Sequence, residues 1–466
     1  MMARAAFGKR GITPMLAVIA FVALMDGIDG SIVNVALPTM AGDFGTDTGT
    51  IAWVAVVYMV MMAGLMITFA KVAKNGLIRK VLLGGLILFT ASSLFCGMST
   101  GFHMLLVFRT IQGVGAAMMG AAVPMVCVKY LPTSNLGLGM GVITLGCSLG
   151  FALGPAVGGI ITDLLSWHWI FLINIPLGLI VIPLIAKVLP GDEGYSGELD
   201  IRGAALLFSA IICGVVAIER APYSDSTLSV ILSAIGCAVF LAAFIRTELR
   251  NEEPLLNLRV FKHWKFDSVL MACMLSNLVY MGMLYLLPFY MHVCMGFSPS
   301  MTGMYILISP LLTLILCVPI SRWSDRTERR AFAVVSCVIL TAGSLIMVLL
   351  SAGSAVLPLA ATLVCMGLFW ALCGGPMGGR IIENVEDESR EMGSSIMYVS
   401  LYLGSALGTA LFAMFFTFGS GSGNISFSDL PPGTFIDGFV LSMIIATAMA
   451  TVTVILSFIV REPGRS

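Results

Sequence analysis

Two carboxylates, Asp26 and Asp29, stand three residues apart inside an apolar run that begins near residue 13. On a helix that spacing puts both on one face. A carboxylate at the centre of a bilayer costs about 2.5–3.5 kcal/mol on insertion scales, so an embedded acid marks a functional site by default. Two such acids in a low dielectric repel each other and titrate as a coupled unit. A pair of this kind can take a proton from one side of a membrane and release it on the other. The structural alternative puts Asp26 in a wet vestibule or bonds it to neighbouring helices. Arg109 is the one basic residue deep in an apolar run, within Arg109-Thr-Ile-Gln112-Gly113-Val-Gly115. A guanidinium there needs acceptors. The acidic pair would supply them, so that Arg109 competes with the proton and ties protonation to helix position. A fixed bond to backbone carbonyls or to Gln112, packing the fourth span on the first, would serve as well.

The elements that must position these groups are membrane helices. Of 466 residues, 58% are hydrophobic and 11% charged, against about 25% charged in soluble domains. Lys+Arg and Asp+Glu are both 25, which leaves no basic face for a nucleic-acid backbone. The 11 Cys form no C-x-x-C pair and read as small buried hydrophobes. Apolar runs long enough to span lie near 13–37, 51–70, 80–99, 104–128, 137–162, 167–188, 201–218, 227–246, 267–291, 301–321, 332–351, 355–375, 394–418 and 437–460, fourteen in all. With the N-terminus in the cytoplasm, 23 of the 25 basic residues fall in cytoplasmic segments. Arg220 alone falls outside, and Arg109 lies within a span. The positive-inside rule therefore supports fourteen spans with both termini cytoplasmic. The chain is expected to be an all-α integral membrane protein of the plasma membrane.

The sequence is internally duplicated. Leu149-Gly-Phe-Ala-Leu-Gly154 recurs 254 residues later as Leu403-Gly-Ser-Ala-Leu-Gly408. This divides the chain into a six-helix half (1–188), a linker with two extra helices (189–264) and a second six-helix half (265–466). Paired halves are the layout of rocking transporters, with the substrate path between them. In the fifth span Gly146, Gly150, Gly154 and Gly158 repeat every four residues, with Pro155 and Gly159 extending the stripe. Small residues at this spacing let helices approach closely, and the proline predicts a bend. There is no phosphate loop, metal-ligand cluster or activated nucleophile, so an enzyme, an ATP-driven pump and a metal or other cofactor are not expected.

These residues together resemble the major facilitator superfamily, specifically its fourteen-helix drug/proton antiporter group (EmrB/QacA type). The resemblance covers essentially the whole chain. It rests on Asp29-Gly-Ser-Ile-Val-Asn34-Val-Ala-Leu-Pro38 in the first span, Arg109-x-x-Gln112-Gly113 in the fourth, and Gly150-x-x-x-Gly154-Pro155-x-x-Gly158-Gly159 in the fifth. Trp167-His-Trp-Ile-Phe-Leu-Ile-Asn174-Ile-Pro176-Leu-Gly178 matches the sixth-span entry, and Asp200-Ile-Arg-Gly203 the start of the extra helix pair. The gating loop after the second span keeps Gly76, Arg79 and Lys80 but departs from the group. Ala73 occupies its acidic position, and Leu77 and Ile78 replace two basic residues, which implies a weak or rewired latch. The second-half counterpart keeps Asp325 and Arg326, with Glu328 in place of its glycine.

The resemblance implies export of hydrophobic or amphipathic, often cationic, compounds in exchange for protons, with the proton gradient as the only drive and a monomer sufficient. Asp29, Asp26 and Arg109 are the expected proton-coupling residues. Asn34, Gln112, Asn277, Tyr280, Tyr398 and Tyr402 are candidate cavity-lining residues. Two other readings stay open: a dedicated exporter of one endogenous metabolite, lipid or antibiotic, and a non-transporting membrane sensor.

Overall fold

A computed structural model describes residues 9–132, 135–192, 194, 200–223, 226–251, 254–256, 258, 264–324, 329–350, 356–383, 390–421 and 425–459. The long elements among them are all helical: α1 (Lys9–Phe44), α2 (Thr48–Val72), α3 (Ile78–Gly97), α4 (Phe102–Tyr130), α5 (Leu136–Leu164), α6 (Trp169–Leu172), α7 (Asn174–Val188), α8 (Ile201–Arg220), α9 (Thr227–Glu248), α10 (Trp264–Met295), α11 (Pro299–Ile306), α12 (Ile308–Ser324), α13 (Arg329–Leu350), α14 (Val356–Glu383), α15 (Arg390–Ser420) and α16 (Pro432–Ile459). Thirteen helical stretches among the described residues are long and apolar enough to cross a membrane.

The longest stretch, Thr48–Gly97, has 50 residues. At 1.5 Å per residue it would span about 75 Å if straight, against a hydrocarbon core of about 30 Å. It is not straight. Between α2 and α3 lies a wide turn, Ala73–Leu77, in which Asn75 leaves helical geometry and Gly76 takes a φ of 111°. A Cβ on Gly76 would also run into the Gly194 carbonyl, so this corner requires glycine. The expected sixth and tenth spans are each broken, at Ile173 and at Leu307. Proline explains both breaks. Pro176 and Pro310 lack the N–H that would bond the carbonyls of Leu172 and Ile306.

Helix pairing repeats along the chain. α1 packs on α5 as α10 packs on α15. α3 packs on α4 as α13 packs on α14, and α2 on α4 as α12 on α14. α3 meets α6 and α7 as α13 meets α16. The two sets, α1–α7 and α10–α16, touch through α2 with α15, α5 with α11 and α12, and α1 with α10. The glycine stripe of α5 faces α1. A Cβ on Gly150 would sit 2.5 Å from the Leu24 carbonyl oxygen and 2.6 Å from the Ile28 nitrogen. Its repeat partner does the same on α10: a Cβ on Gly404 would lie 2.8 Å from the Met274 carbonyl oxygen. Gly159 meets Pro299, and Pro155 meets Gly303 on α11. α8 and α9 form a hairpin whose first helix leans on α2 and α15, while α9 presents Leu228, Leu232, Ile235 and Val239 outward.

The helix ends gather on two faces. The basic face carries Lys71, Lys74, Arg79, Lys80 and Lys187. There the Arg79 and Lys80 N–H groups donate to Asp192 at 2.9 and 3.0 Å, and Arg79 Nη2 donates to the Ala186 carbonyl at 2.6 Å. Asp192 thus caps α3, while Ala73 lies buried. Asp325 and Arg326 lie outside the described residues. On the opposite face the Tyr285 hydroxyl donates to the Thr48 carbonyl, and the Phe427 N–H to the Thr46 carbonyl. Arg220 pairs there with Glu219 at 3.3 Å. Trp167 Nε1 also donates to Asp43 at 2.7 Å, fastening the start of the sixth span to the end of α1.

Candidate proton and substrate site

Five helices of the first set converge on Asp29. Its Oδ2 accepts from Arg109 Nη1 at 2.8 Å, a fully buried ion pair. Its Oδ1 accepts from Gln112 Nε2 at 3.0 Å and from Asn174 Nδ2 at 3.2 Å. Gln112 also accepts from Arg109 Nη1 at 2.7 Å and donates to Ser93 Oγ at 2.8 Å. Arg109 Nε donates to the Val54 carbonyl at 3.1 Å. The guanidinium carbon lies 4.3 Å from the centre of the Tyr58 ring and 5.5 Å from that of Phe171, within cation–π range of both. Arg109 thus pairs with one acid of the pair and also holds a backbone carbonyl and Gln112.

Asp26 stands apart from this cage. It is partly exposed, and its two oxygens accept only long bonds of 3.4 Å from Tyr58 on α2 and Tyr402 on α15. These phenols belong to opposite helix sets, so one carboxylate bridges both. The acids, one turn apart, have different surroundings: Asp29 is clamped by a cation and two amides, and Asp26 touches only neutral hydroxyls. A group so loosely held can exchange its partners for a proton or for a ligand cation.

The remaining expected lining residues divide. Gln112 is spent on the Asp29 cage. Asn277 ties α10 to α15, donating to the Leu401 carbonyl at 2.6 Å and to Ser405 Oγ at 2.9 Å. Tyr280 shares a hydrogen bond with Ser309 at 3.3 Å and packs against Phe369 and Trp370. Asn34 is buried on α1, five residues beyond Asp29. The side chain of Tyr398 lies outside the described residues. Sequence reasoning missed Tyr58 and Ser93, and took Asn174 only as part of a motif. Tyr58 was detectable as the one phenol in an otherwise apolar second span. Among the described residues no group of three or more His, Cys, Asp or Glu could hold a metal ion.

The family profile of the Major Facilitator Superfamily matches residues 19–409. The chain belongs to this superfamily. It is thus a transporter by family and not an enzyme. Among the relatives of this transporter, the riboflavin transporter RibZ of Clostridioides difficile (strain 630) is 29% identical over 407 residues, covering 86% of this chain and 88% of that protein. A multidrug resistance protein B homolog of Mycobacterium tuberculosis (strain ATCC 25618 / H37Rv) is 28% identical over 415 residues, covering 88% and 77%. In structure the transporter is similar to a bacterial homolog of the human lysosomal transporter Spinster, in an inward-facing and unoccupied conformation. The TM-score is 0.72 with 14% identity, covering 97% of this chain and 98% of that one.

Proposed function

We propose that the chain is a proton-coupled exporter of hydrophobic or amphipathic cations, working by alternating access. The observation that carries this reading is the contrast between Asp29, buried against Arg109, and Asp26, which links both helix sets through Tyr58 and Tyr402. Protonating the acidic pair weakens the hold of Arg109 and of the two phenols; a cationic substrate competes for the same negative charge. Exchange of one cation for the other is antiport. Reading Thr48–Gly97 as two crossings gives fourteen spans, with both termini cytoplasmic and the basic face inward, in a plasma membrane. On the same reading residues 1–188 and 265–466 are the two moving halves, 189–264 joins them, and a monomer suffices. Asn34 and Tyr398 then line the path, Arg79, Lys80, Asp325 and Arg326 gate its inner mouth, and no cofactor is needed.

In liposomes under an imposed pH gradient, ethidium efflux is expected from the wild type and is lost in Asp29→Asn. Efflux that survives Asp29→Asn would overturn the coupling role. A second reading, a transporter dedicated to a single compound, draws support from the similarity to a riboflavin transporter. A profile confined to one compound across unrelated cationic dyes would favour it.

A further inference from the structure

At the basic end of the α8–α9 hairpin two carboxylates face each other. Asp200 caps α8: its Oδ1 accepts from the Gly203 N–H at 2.7 Å and its Oδ2 from Asn251 Nδ2 at 2.8 Å. Glu248, at the end of α9, is 4% exposed. Its Oε2 accepts from the Leu256 N–H at 2.9 Å, whereas its Oε1 is buried without a donor. That orphan oxygen and Asp200 Oδ2 both crowd the space beside Gly203. Gly203 makes room for the approach: a Cβ there would fall 2.6 Å from Asp200 Oδ2 and closer still to Glu248 Oε1. Two ionised carboxylates both accept and neither donates. Only a bound cation can make these two oxygens complementary, and a proton is the one small enough to lie on a direct O–H···O bond.

Partial burial alone would raise the Asp200 carboxyl. The Gly203 N–H, the Asn251 amide, the Glu248 carboxyl and the charge of Lys71 outweigh it and hold Asp200 below the usual carboxylate range. Both Asp200 oxygens already have donors, in Gly203 and Asn251, whereas Glu248 Oε1 has none, so the geometry places the shared proton on Glu248 Oε1. The neighbouring charges, among the described residues, are few. α2 contributes Lys71, with Lys74 in the turn beyond it; α8 contributes Arg202; α9 contributes Arg246, with Arg250 just past its end. α15 from residue 397 onward and the segment 254–258 contribute none. With one proton bound, the pair carries a single negative charge beside Lys71. Without it, the pair carries two, side by side, with that of Glu248 buried.

What the pair fastens is specific. Ile67 of α2, Ala204 of α8 and Leu255 form a buried apolar cluster, with Leu256 and Val399 of α15 packed against it. The Leu256 N–H that Glu248 holds is part of this seam. α2 and α15 belong to different helix sets and must slide or part when the two sets rock. We propose that Asp200 and Glu248 bind one proton between them, and that this proton clamps the α8–α9 hairpin onto α2 and α15 at the basic face. The site is separate from Asp26 and Asp29 and does not depend on what the transporter carries. When the pH at the basic face rises, Glu248 gives its proton to water, the two carboxylates repel, and the Leu255–Leu256 segment loosens.

The test uses the full chain in lipid nanodiscs. Infrared difference spectra between acidic and alkaline buffer should contain a carboxylic-acid C=O band that is lost in Glu248→Gln and kept in Asp29→Asn. Hydrogen–deuterium exchange across 200–210 and 245–256, corrected for intrinsic rates, should speed up with pH in the wild type and lose that pH dependence in Glu248→Gln, whose amide supplies the missing donor. If Glu248→Gln does not fold, Asp200→Asn serves, because its amide donates to an ionised Glu248 and should likewise abolish the band. A band that persists in the folded variant would overturn the proposal. So would exchange that responds to sodium or potassium at fixed pH, which would assign a metal cation to the pair. Loss of ethidium efflux in Asp29→Asn bears on the transport reading alone.

Discussion

The two helix sets pack alike and differ at their centres. Gly150 meets Leu24 on α1 and Gly404 meets Met274 on α10, so α10 follows α1 at an offset of 250 residues. By that offset Ser276 occupies the place of Asp26. Where α1, α3, α4 and α7 surround a carboxylate, a guanidinium and two amides, α10, α13 and α16 bring together Ser276, Cys337 and Ser457. Their contacts are weak, 3.7 and 3.5 Å to the thiol. A buried charge is retained only where something compensates it. Its presence in one set, and its absence among the described residues of the twin, would on the proposed reading separate the work of coupling from the work of holding helices together.

The comparison breaks most visibly at Arg109. Arg109→Gln leaves Asp29 as a buried unpaired charge, at an expected cost of about 3–5 kcal/mol, together with loss of gradient-driven efflux. Thermal unfolding in detergent measures the first. Adding Asp29→Asn should recover part of that stability, since the orphan charge goes with it. Cys337→Ala in the neutral twin should cost under about 1.5 kcal/mol and leave efflux intact. Gly150→Ala and Gly404→Ala probe what the sets share. Each forces a methyl against a neighbouring backbone, and each should destabilise by about 1–3 kcal/mol. A large cost at one and none at the other would deny that the packing is repeated. Asn277→Ala should cost about 0.5–1.5 kcal/mol for each tie it loses without altering the pH dependence of efflux, because no charge leaves.

Smaller effects belong to the basic face. Asp192→Ala removes the acceptor that caps α3, and about 0.5–2 kcal/mol of stability with it; an unchanged unfolding temperature would deny Asp192 its role as that cap. Asp200 gives a sign in pH. Its carboxyl is held low in the fold, so the stabilisation from its cap is fully present above the unfolded carboxylate value and is lost as pH falls through the folded one. Unfolding temperatures of Asp200→Asn should therefore vary less on the acid side than those of the wild type.

Most of the fold could be read from residue types. Long apolar runs announce helices, and the glycine spacing of α5 announced a close neighbour before α1 was known to be that neighbour. Charges inside those runs pointed to Asp26, Asp29 and Arg109 for the same reason. Legibility fails where partner choice depends on how helices rotate against one another. Tyr402 reaches Asp26 across 376 residues of sequence, and Asp192 reaches Arg79 across 113. Serine is common enough in membrane helices that no pattern singles out Ser93. The vacancy at Ala73 was visible in the sequence, but the cap on α3 was not, because Asp192 sits in an unpatterned loop. Pro176 and Pro310 are equally visible, yet each lies in an apolar run long enough to pass for one continuous span.

The ion pair of Asp29 and Arg109 joins residues 80 positions apart. Ribosomes add about 5–20 residues per second, so the acid emerges some 4–16 s before its base. For that interval the nascent first helix carries two embedded carboxylates without the guanidinium that pairs with Asp29. Its apolar residues return only about 0.3–0.6 kcal/mol each on insertion. The newborn helix is therefore a reluctant lodger in lipid, best sheltered by the insertion machinery until the fourth arrives. Biogenesis inherits a waiting time from the chemistry of transport.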